Sequence, residues 1–320
     1  MAFARFALSR LLRGLLTLWF AITVTFFLVR LLPGDPALAV ASPTMTEEQR
    51  AIMLADFGLD QPLPVQYFTY LGQLLQGNLG ISFRQSVPVL DVLLERLPWT
   101  LILTGSSLIV TLIIGVPLAV AAARRRGSHI DRAVQVGGVI GQSLFVPTVG
   151  IFLLYVFGLW LGWLPIGGAI DRGVSGLEAY GSMLRHLVLP CLSLVLLQLG
   201  SYVLFLRTSL IDALGEEYTT VARSKGVSER TVVWKHALRN ALLPTVTLVG
   251  LQLGFLVGGA VLTETIFAYP GIGRAIYEAV GQLDFAVLQG AFVLLAATVV
   301  LANLLTDLLY GILDPRVRQA

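Results

Sequence analysis

The sequence predicts an all-α membrane protein: six transmembrane helices, with a small helical cap outside the membrane between spans one and two. Three observations carry that reading. Of the 320 residues, 56% are hydrophobic and only 13% charged, with a mean hydropathy of +0.81; a soluble domain of this length carries about twice that charged fraction. Apolar runs long enough for the ~30 Å hydrocarbon core of a bilayer recur along the chain. The 22 Lys and Arg fall in short segments beside those runs, which encodes topology rather than nucleic-acid binding, despite a net charge of +3 and a pI near 9.2. Cys191, the single cysteine, lies in an apolar run, so neither an intrachain disulfide nor a thiolate metal cluster can form, and core packing is its expected role.

Residues 1–32 hold the N-terminal region and span one. Arg5, Arg10 and Arg13 precede an apolar run over 14–29. A cleaved signal peptide competes with this reading, because Ala39-Val40-Ala41 resembles a small-residue cleavage site. The run exceeds an ordinary signal core, however, and residues 30–38 leave too long a gap before the site, so an uncleaved span over about 10–32 is expected. Residues 33–97 form the extracytoplasmic cap. Pro33-Gly34-Asp35-Pro36 turns the chain, and Thr44 with Glu47 reads as a capping box opening a short helix to about Phe57. The stretch 65–76 places Phe68, Leu71, Leu74 and Leu75 on one helical face before Gly77-Asn78-Leu79-Gly80 ends it.

Spans two to six occupy 98–311. Pro98 opens span two (98–123), since proline in a first helical turn forfeits no hydrogen bond, and Arg124-Arg125-Arg126 closes it. Span three (133–163) exceeds the ~20 residues a bilayer needs and carries Pro147 as a kink. A glycine-rich external segment follows (164–184), then span four (185–207), span five (243–266), an external loop (267–286), span six (287–311) and a tail (312–320). An even number of spans puts both termini on one side. Fifteen of the 22 Lys and Arg fall on that side, which marks it as cytoplasmic.

Between spans four and five lies a polar, basic island over 212–242. It reads as a helix over 212–225 and a second over 229–241, broken at Gly226-Val227-Ser228. Gly226 supplies the left-handed conformation that ends a helix at low cost. Ser228 suits the next N-cap, with Glu229 at its positive end. Exposed Arg223, Lys225, Arg230 and Lys235 would fit an acidic or polar cleft on a partner; composition alone allows an ordinary basic connecting loop equally well.

These residues resemble the membrane subunits of binding-protein-dependent ABC importers. The signature of that family is an E-A-A triplet, three residues, a glycine, nine residues, then I-x-L-P. Here Gly226 fills the glycine and Ala222 the last alanine, Thr220 and Val221 depart, Glu216-Glu217 stands slightly early, and of the final motif only Leu238 matches within His236-Ala237-Leu238-Arg239. The dipeptide/oligopeptide/nickel branch shows those departures, with its A-x-A-K-G and H-A-L-R-N-A-L-L-P runs; Ser224 replaces the second alanine. Similar to that branch, too, are Leu32-Pro33-Gly34-Asp35-Pro36, residues 57–62, 77–82 and 97–100, the run from Glu264 to Gly273, and Leu313-Asp314-Pro315-Arg316.

The resemblance implies a type I ABC importer permease fold, the first permease of its pair, in a bacterial or archaeal plasma membrane with lipid around it. It implies as partners a second homologous permease, two ABC ATPase subunits and an extracytoplasmic substrate-binding protein, with a peptide-class substrate and no nucleic acid. Glu217, Ala222, Arg223, Lys225, Gly226, Ser228, Glu229, Arg230, His236, Arg239 and Asn240 would couple to the ATPases. No cofactor or metal is expected in this chain, ATP and Mg being bound by the partners. Dipeptides, oligopeptides, glutathione and nickel chelates all stay open as cargo.

Other functions fit less well. A phosphate-binding loop needs a Gly-Lys pair, but Lys225 follows Ser224 and Lys235 follows Trp234, so ATP chemistry must come from another polypeptide. An intramembrane serine protease would need a Ser/His pair within the bilayer, yet His129, His186 and His236 fall at or beyond span ends; no catalytic residue is assigned. A secondary transporter or channel would bury an ionisable group near a span centre, and none of the acidic residues lies there. Gln142, Ser143, Gln198 and Gln252 could line a hydrated path or bond between helices. Gly250, Gly254 and Gly258 form a double Gly-x-x-x-Gly stripe suited to close helix packing or, less well, to a path.

Overall fold

The computed structural model describes residues 2–31, 61–82 and 84–313. The Pro33–Pro36 turn, the capping box of Thr44 and Glu47, the short helix to Phe57 and the tail beyond 313 lie outside the described residues. What is described is helical, in the order α1 (Ala2–Leu31), α2 (Leu63–Leu75), α3 (Val89–Arg124), α4 (His129–Ser143), α5 (Val146–Leu153, prolonged by a wider π turn over Leu154–Trp160) and α6 (Leu177–Gly215). Next come α7 (Glu217–Ser224), α8 (Glu229–Thr231, with a π turn over Val232–Ala237), α9 (Leu238–Ile266), α10 (Ile272–Gln282) and α11 (Phe285–Leu313).

Among the described residues four helices are long and apolar enough to cross a membrane, in α1, α3, α6 and α11, and the α4–α5 pair makes a fifth if it counts as one span. That pair corrects the reading of span three as one kinked helix. The chain turns by 99° between Ser143 and Val146, because Leu144 and Phe145 are both extended, and Pro147 instead sits in the first turn of α5, where its missing N–H is not needed.

Other boundaries move as well. Pro98 lies inside α3, which starts nine residues earlier behind Pro88. Likewise α6 begins at Leu177 and runs through Pro190 to Gly215 without a break, so residues 212–215 belong to it rather than to the island's first helix. The expected external loop 267–286 is itself folded: Phe267, Tyr269 and Ile272 are fully buried, and α10 packs with Val89 and Leu93 of α3 and with Leu288 and Ala291 of α11. In α2 the packed face is not quite the one anticipated. Leu71 and Leu74 are half-buried, but Phe68 and Leu75 face outward, at 70% and 90% exposure. The contacts to α1 are polar-aromatic instead: Arg30 Nε donates to Gln66 Oε1 (2.9 Å), Thr23 and Tyr67 share a 2.7 Å hydrogen bond, and Tyr67 and Tyr70 pack on Phe26.

Small residues set the close seam between α4 and α6. A Cβ on Gly200 of α6 would lie 2.3 Å from the Gly138 carbonyl oxygen of α4, so the two backbones touch only because position 200 is glycine; a Cβ on Gly138 would instead meet the Leu204 side chain at 2.8 Å. Next to this seam Asp131 is buried and chelates Arg207 of α6: its Oδ2 accepts from Nη2 at 2.7 Å and from Gly127 N–H at 2.8 Å, and its Oδ1 accepts a short hydrogen bond from Nε.

Candidate functional site

The polar island folds into a knob at one end of the bundle. At its base α6 stops at Gly215, and the buried Thr219 hydroxyl reaches the carbonyls of Leu214 (2.9 Å) and Glu216 (2.8 Å), Leu214 being one of the acceptors that a helix end leaves unpaired. The following helix, α7, ends in a complete Schellman turn. Gly226 N–H bonds the Arg223 carbonyl (2.9 Å) and Val227 N–H the Ala222 carbonyl (3.2 Å), with Gly226 at φ +77°. A Cβ there would meet nothing within 4 Å, so the demand for glycine is conformational rather than steric.

Across that elbow Arg223 grips Glu229, Nε to Oε2 at 3.0 Å and Nη2 to Oε1 at 3.1 Å, while Nη1 lies 3.4 Å from the Leu214 carbonyl. This hydrogen-bonded pairing raises the Arg223 pKa and lowers that of Glu229. Arg223 therefore staples the elbow from within while its side chain stays 39% exposed, so the charge expected to face a partner is shared with Glu229. Ser228 does occupy the N-cap position, yet its hydroxyl meets Thr231 Oγ1 at 2.9 Å and caps no backbone N–H. Nor does the second helix stop at Ala241: it runs from Glu229 through a π turn directly into α9.

The underside of the knob is apolar. Val233, Ala237, Leu238 and Ala241 are buried with Ala119, Val120 and Ala123 of α3 and with Leu206, Leu210 and Ala213 of α6. The outer side carries Glu217, Lys225, Arg230, Lys235, Arg239 and Asn240, all exposed, with His236 half-buried and Ala222 buried. It also carries Tyr218, Val221 and Trp234, exposed at 38%, 50% and 45%. Those three escaped the sequence reading; an apolar residue inside a charged run was the signal available. A rigid platform with apolar groups ringed by cations can dock a protein surface.

Of the candidate path residues, Gln142 and Ser143 are exposed just before the α4–α5 break, and the Ser143 hydroxyl is spent on the Val139 carbonyl (3.0 Å). Gln198 is buried in α6, with neither amide atom hydrogen-bonded. A Cβ on Gly250 would come within 2.8 Å of Thr306 Cγ2, so α9 and α11 approach closely there. The side chain of Gln252 and the surroundings of Gly254 and Gly258 lie outside the described residues.

At the opposite end of the bundle the motif from Glu264 to Gly273 forms a buried node. Glu264 is fully enclosed. Its Oε1 accepts from Thr100 Oγ1 at 2.7 Å, and its Oε2 accepts from Arg274 N–H at 3.1 Å. Thr100 Oγ1 in turn accepts from Ile272 N–H at 2.9 Å. The carboxylate thus holds the first amides of α10, where a helix favours negative charge. Gly271 is required for this, since a Cβ there would lie 2.2 Å from the Glu264 carboxyl.

Long apolar helices with a folded polar knob between two of them define a multi-pass membrane protein. Residues 115–319 match the binding-protein-dependent transport system inner membrane component, and residues 3–104 match the N-terminal region of such membrane components. The chain belongs to this family of inner-membrane permeases, in its peptide branch. It is 39% identical over 295 residues to a probable peptide ABC transporter permease of Sinorhizobium fredii, covering 92% of each chain. It is 38% identical over 313 residues to a glutathione transport system permease of Salmonella typhimurium, covering 98% of each. To the di/tripeptide transport system permease of Pseudomonas aeruginosa it is 38% identical over 329 residues, covering 97% of this chain and 98% of the other.

Proposed function

We propose that this chain forms one half of the translocation path of an ATP-driven importer for di- and oligopeptides and takes its driving force from separate ATPase subunits through the knob at 215–240. The observation that carries the coupling role is the knob's two-sided construction. Its apolar underside is one core with the ends of α3 and α6, so a displacement of the outer side moves both helices as a body. Two unlike states of the path would then follow ATP binding and release, provided the partner binds the knob differently in each.

In this reading α9 is span five and brings the number of spans to six, both termini and the knob face the cytoplasm, and residues 33–97 form the outer cap. The chain holds no ATPase site and no cofactor of its own. A second homologous permease, two ATPases and an extracytoplasmic binding protein complete the machine. The peptide class is supported by the relatives' names, glutathione itself being a tripeptide; a nickel chelate is the other cargo of the branch.

The test is uptake of a labelled dipeptide by proteoliposomes carrying the whole assembly. Trp234→Ala combined with Lys225→Glu and Arg230→Glu should abolish uptake and uncouple ATP hydrolysis from substrate while the chain still inserts and assembles. Undiminished uptake would sink the coupling role of the knob.

A further inference from the structure

Away from the knob, one group of polar side chains that the transport reading leaves unused lies between α1 and α11. There a cavity of about 160 Å³ is lined by Arg10, Arg13 and Thr17 of α1 and by Asn303 and Leu304 of α11. At its floor the helices nearly touch, because a Cβ on Gly14 would lie only 3.1 Å from Val300 Cγ1. The two arginines stand in the first turn and a half of the apolar run Leu8–Arg30, the level at which a membrane protein meets lipid headgroups. Arg10 is half-buried and engaged within the chain. Arg13 is exposed, and Asn303 is half-buried within an otherwise apolar helix.

We propose that this groove binds the phosphate of an anionic phospholipid. A phosphate diester accepts hydrogen bonds and donates none, which suits guanidinium and carboxamide donors facing one space. Hydrocarbon could not fill the groove without stranding the Asn303 amide. The helix that carries it is immersed in hydrocarbon: on the face of α1 away from the groove Leu8, Leu12, Leu15 and Leu16 are exposed at 56%, 57%, 53% and 63%. A groove at this level of an apolar helix meets phospholipid headgroups, which selects a lipid over a free anion. It also belongs to the least enclosed of the candidate spans, with 11% of its most apolar window buried against 39% in α3 and 61% in α6. A lipid seated between α1 and α11 would brace the helix that needs it most.

Native mass spectrometry of the full chain in non-ionic detergent, titrated with phosphatidylglycerol, phosphatidylcholine or sodium phosphate, tests the site. One phosphatidylglycerol should bind per chain in preference to phosphatidylcholine and persist in excess sodium phosphate. Arg13→Gln should weaken it about fivefold, as expected for one basic residue at an anionic surface. Asn303→Leu, which keeps both charges and fills the groove, should weaken it by a similar factor while leaving phosphatidylcholine binding unchanged. Equal binding of the two lipids, displacement by sodium phosphate, or unaltered phosphatidylglycerol binding in either variant would overturn the proposal.

Discussion

Replacing Glu264 by alanine tests whether the buried node at 264–274 holds α10 in place. Its carboxylate receives one side-chain and one backbone donor: Thr100 Oγ1 at 2.7 Å and Arg274 N–H at 3.1 Å. Each buried donor left without a partner costs about 1–3 kcal/mol, so the two amount to about 2–6 kcal/mol. At about 2–4 °C per kcal/mol for a large chain, thermal unfolding in detergent, followed by tryptophan fluorescence, should fall by about 10 °C. Glu264→Gln keeps the volume and one acceptor but turns an amide donor toward donors, and should cost about 1–3 kcal/mol. Thr100→Val removes both the hydroxyl donor and the acceptor for Ile272 N–H (2.9 Å). Sharing a network with Glu264, it should combine with Glu264→Gln less than additively, by about 0.5 kcal/mol or more. A melting point within 2 °C of the parent for Glu264→Ala, or strictly additive variants, would refute the account of this node.

Three further outcomes follow from the same geometry. Asp131→Asn should cost about 3–5 kcal/mol by leaving Arg207, 14% exposed, as an uncompensated charge, and Asp131→Asn with Arg207→Gln should recover part of that loss in the same melting assay. Gly200→Ala should separate α4 from α6 and destabilise by about 1–3 kcal/mol, since its Cβ would fall 2.3 Å from the Gly138 oxygen; Gly181→Ala, in open space, serves as the control. Because Arg223 lowers the pKa of Glu229 in the folded knob, the pair's contribution is complete above the ordinary glutamate value and is lost as pH falls through the depressed one. With side chains 39% and 49% exposed that contribution is about 1 kcal/mol or less, so a difference in melting point between parent and Glu229→Gln should vanish at acidic pH and stay flat from pH 6 to 9.

The sequence alone determined the class. A charged fraction of 13% with long apolar runs leaves no soluble alternative, and composition and spacing suffice because a bilayer imposes one secondary structure on a single chain segment. The elbow at Gly226 was legible for the same local reason: a Schellman turn is written within six residues. What the sequence could not settle is which groups meet. Arg223 read as a free cation because Glu229 is brought to it only by the fold of the elbow. Asp131 gave no hint of Arg207, 76 residues away, nor Glu264 of Thr100, 164 away. The glycine that matters most at the α4–α6 seam, Gly200, belongs to no periodic stripe and pairs with Gly138 across helices. Likewise the 99° break before Pro147 hangs on two extended residues, Leu144 and Phe145, which no local propensity distinguishes from helix in an apolar run. Helices are local and so are read along the chain; the pairs that lock them together are long-range, and only tertiary packing decides them.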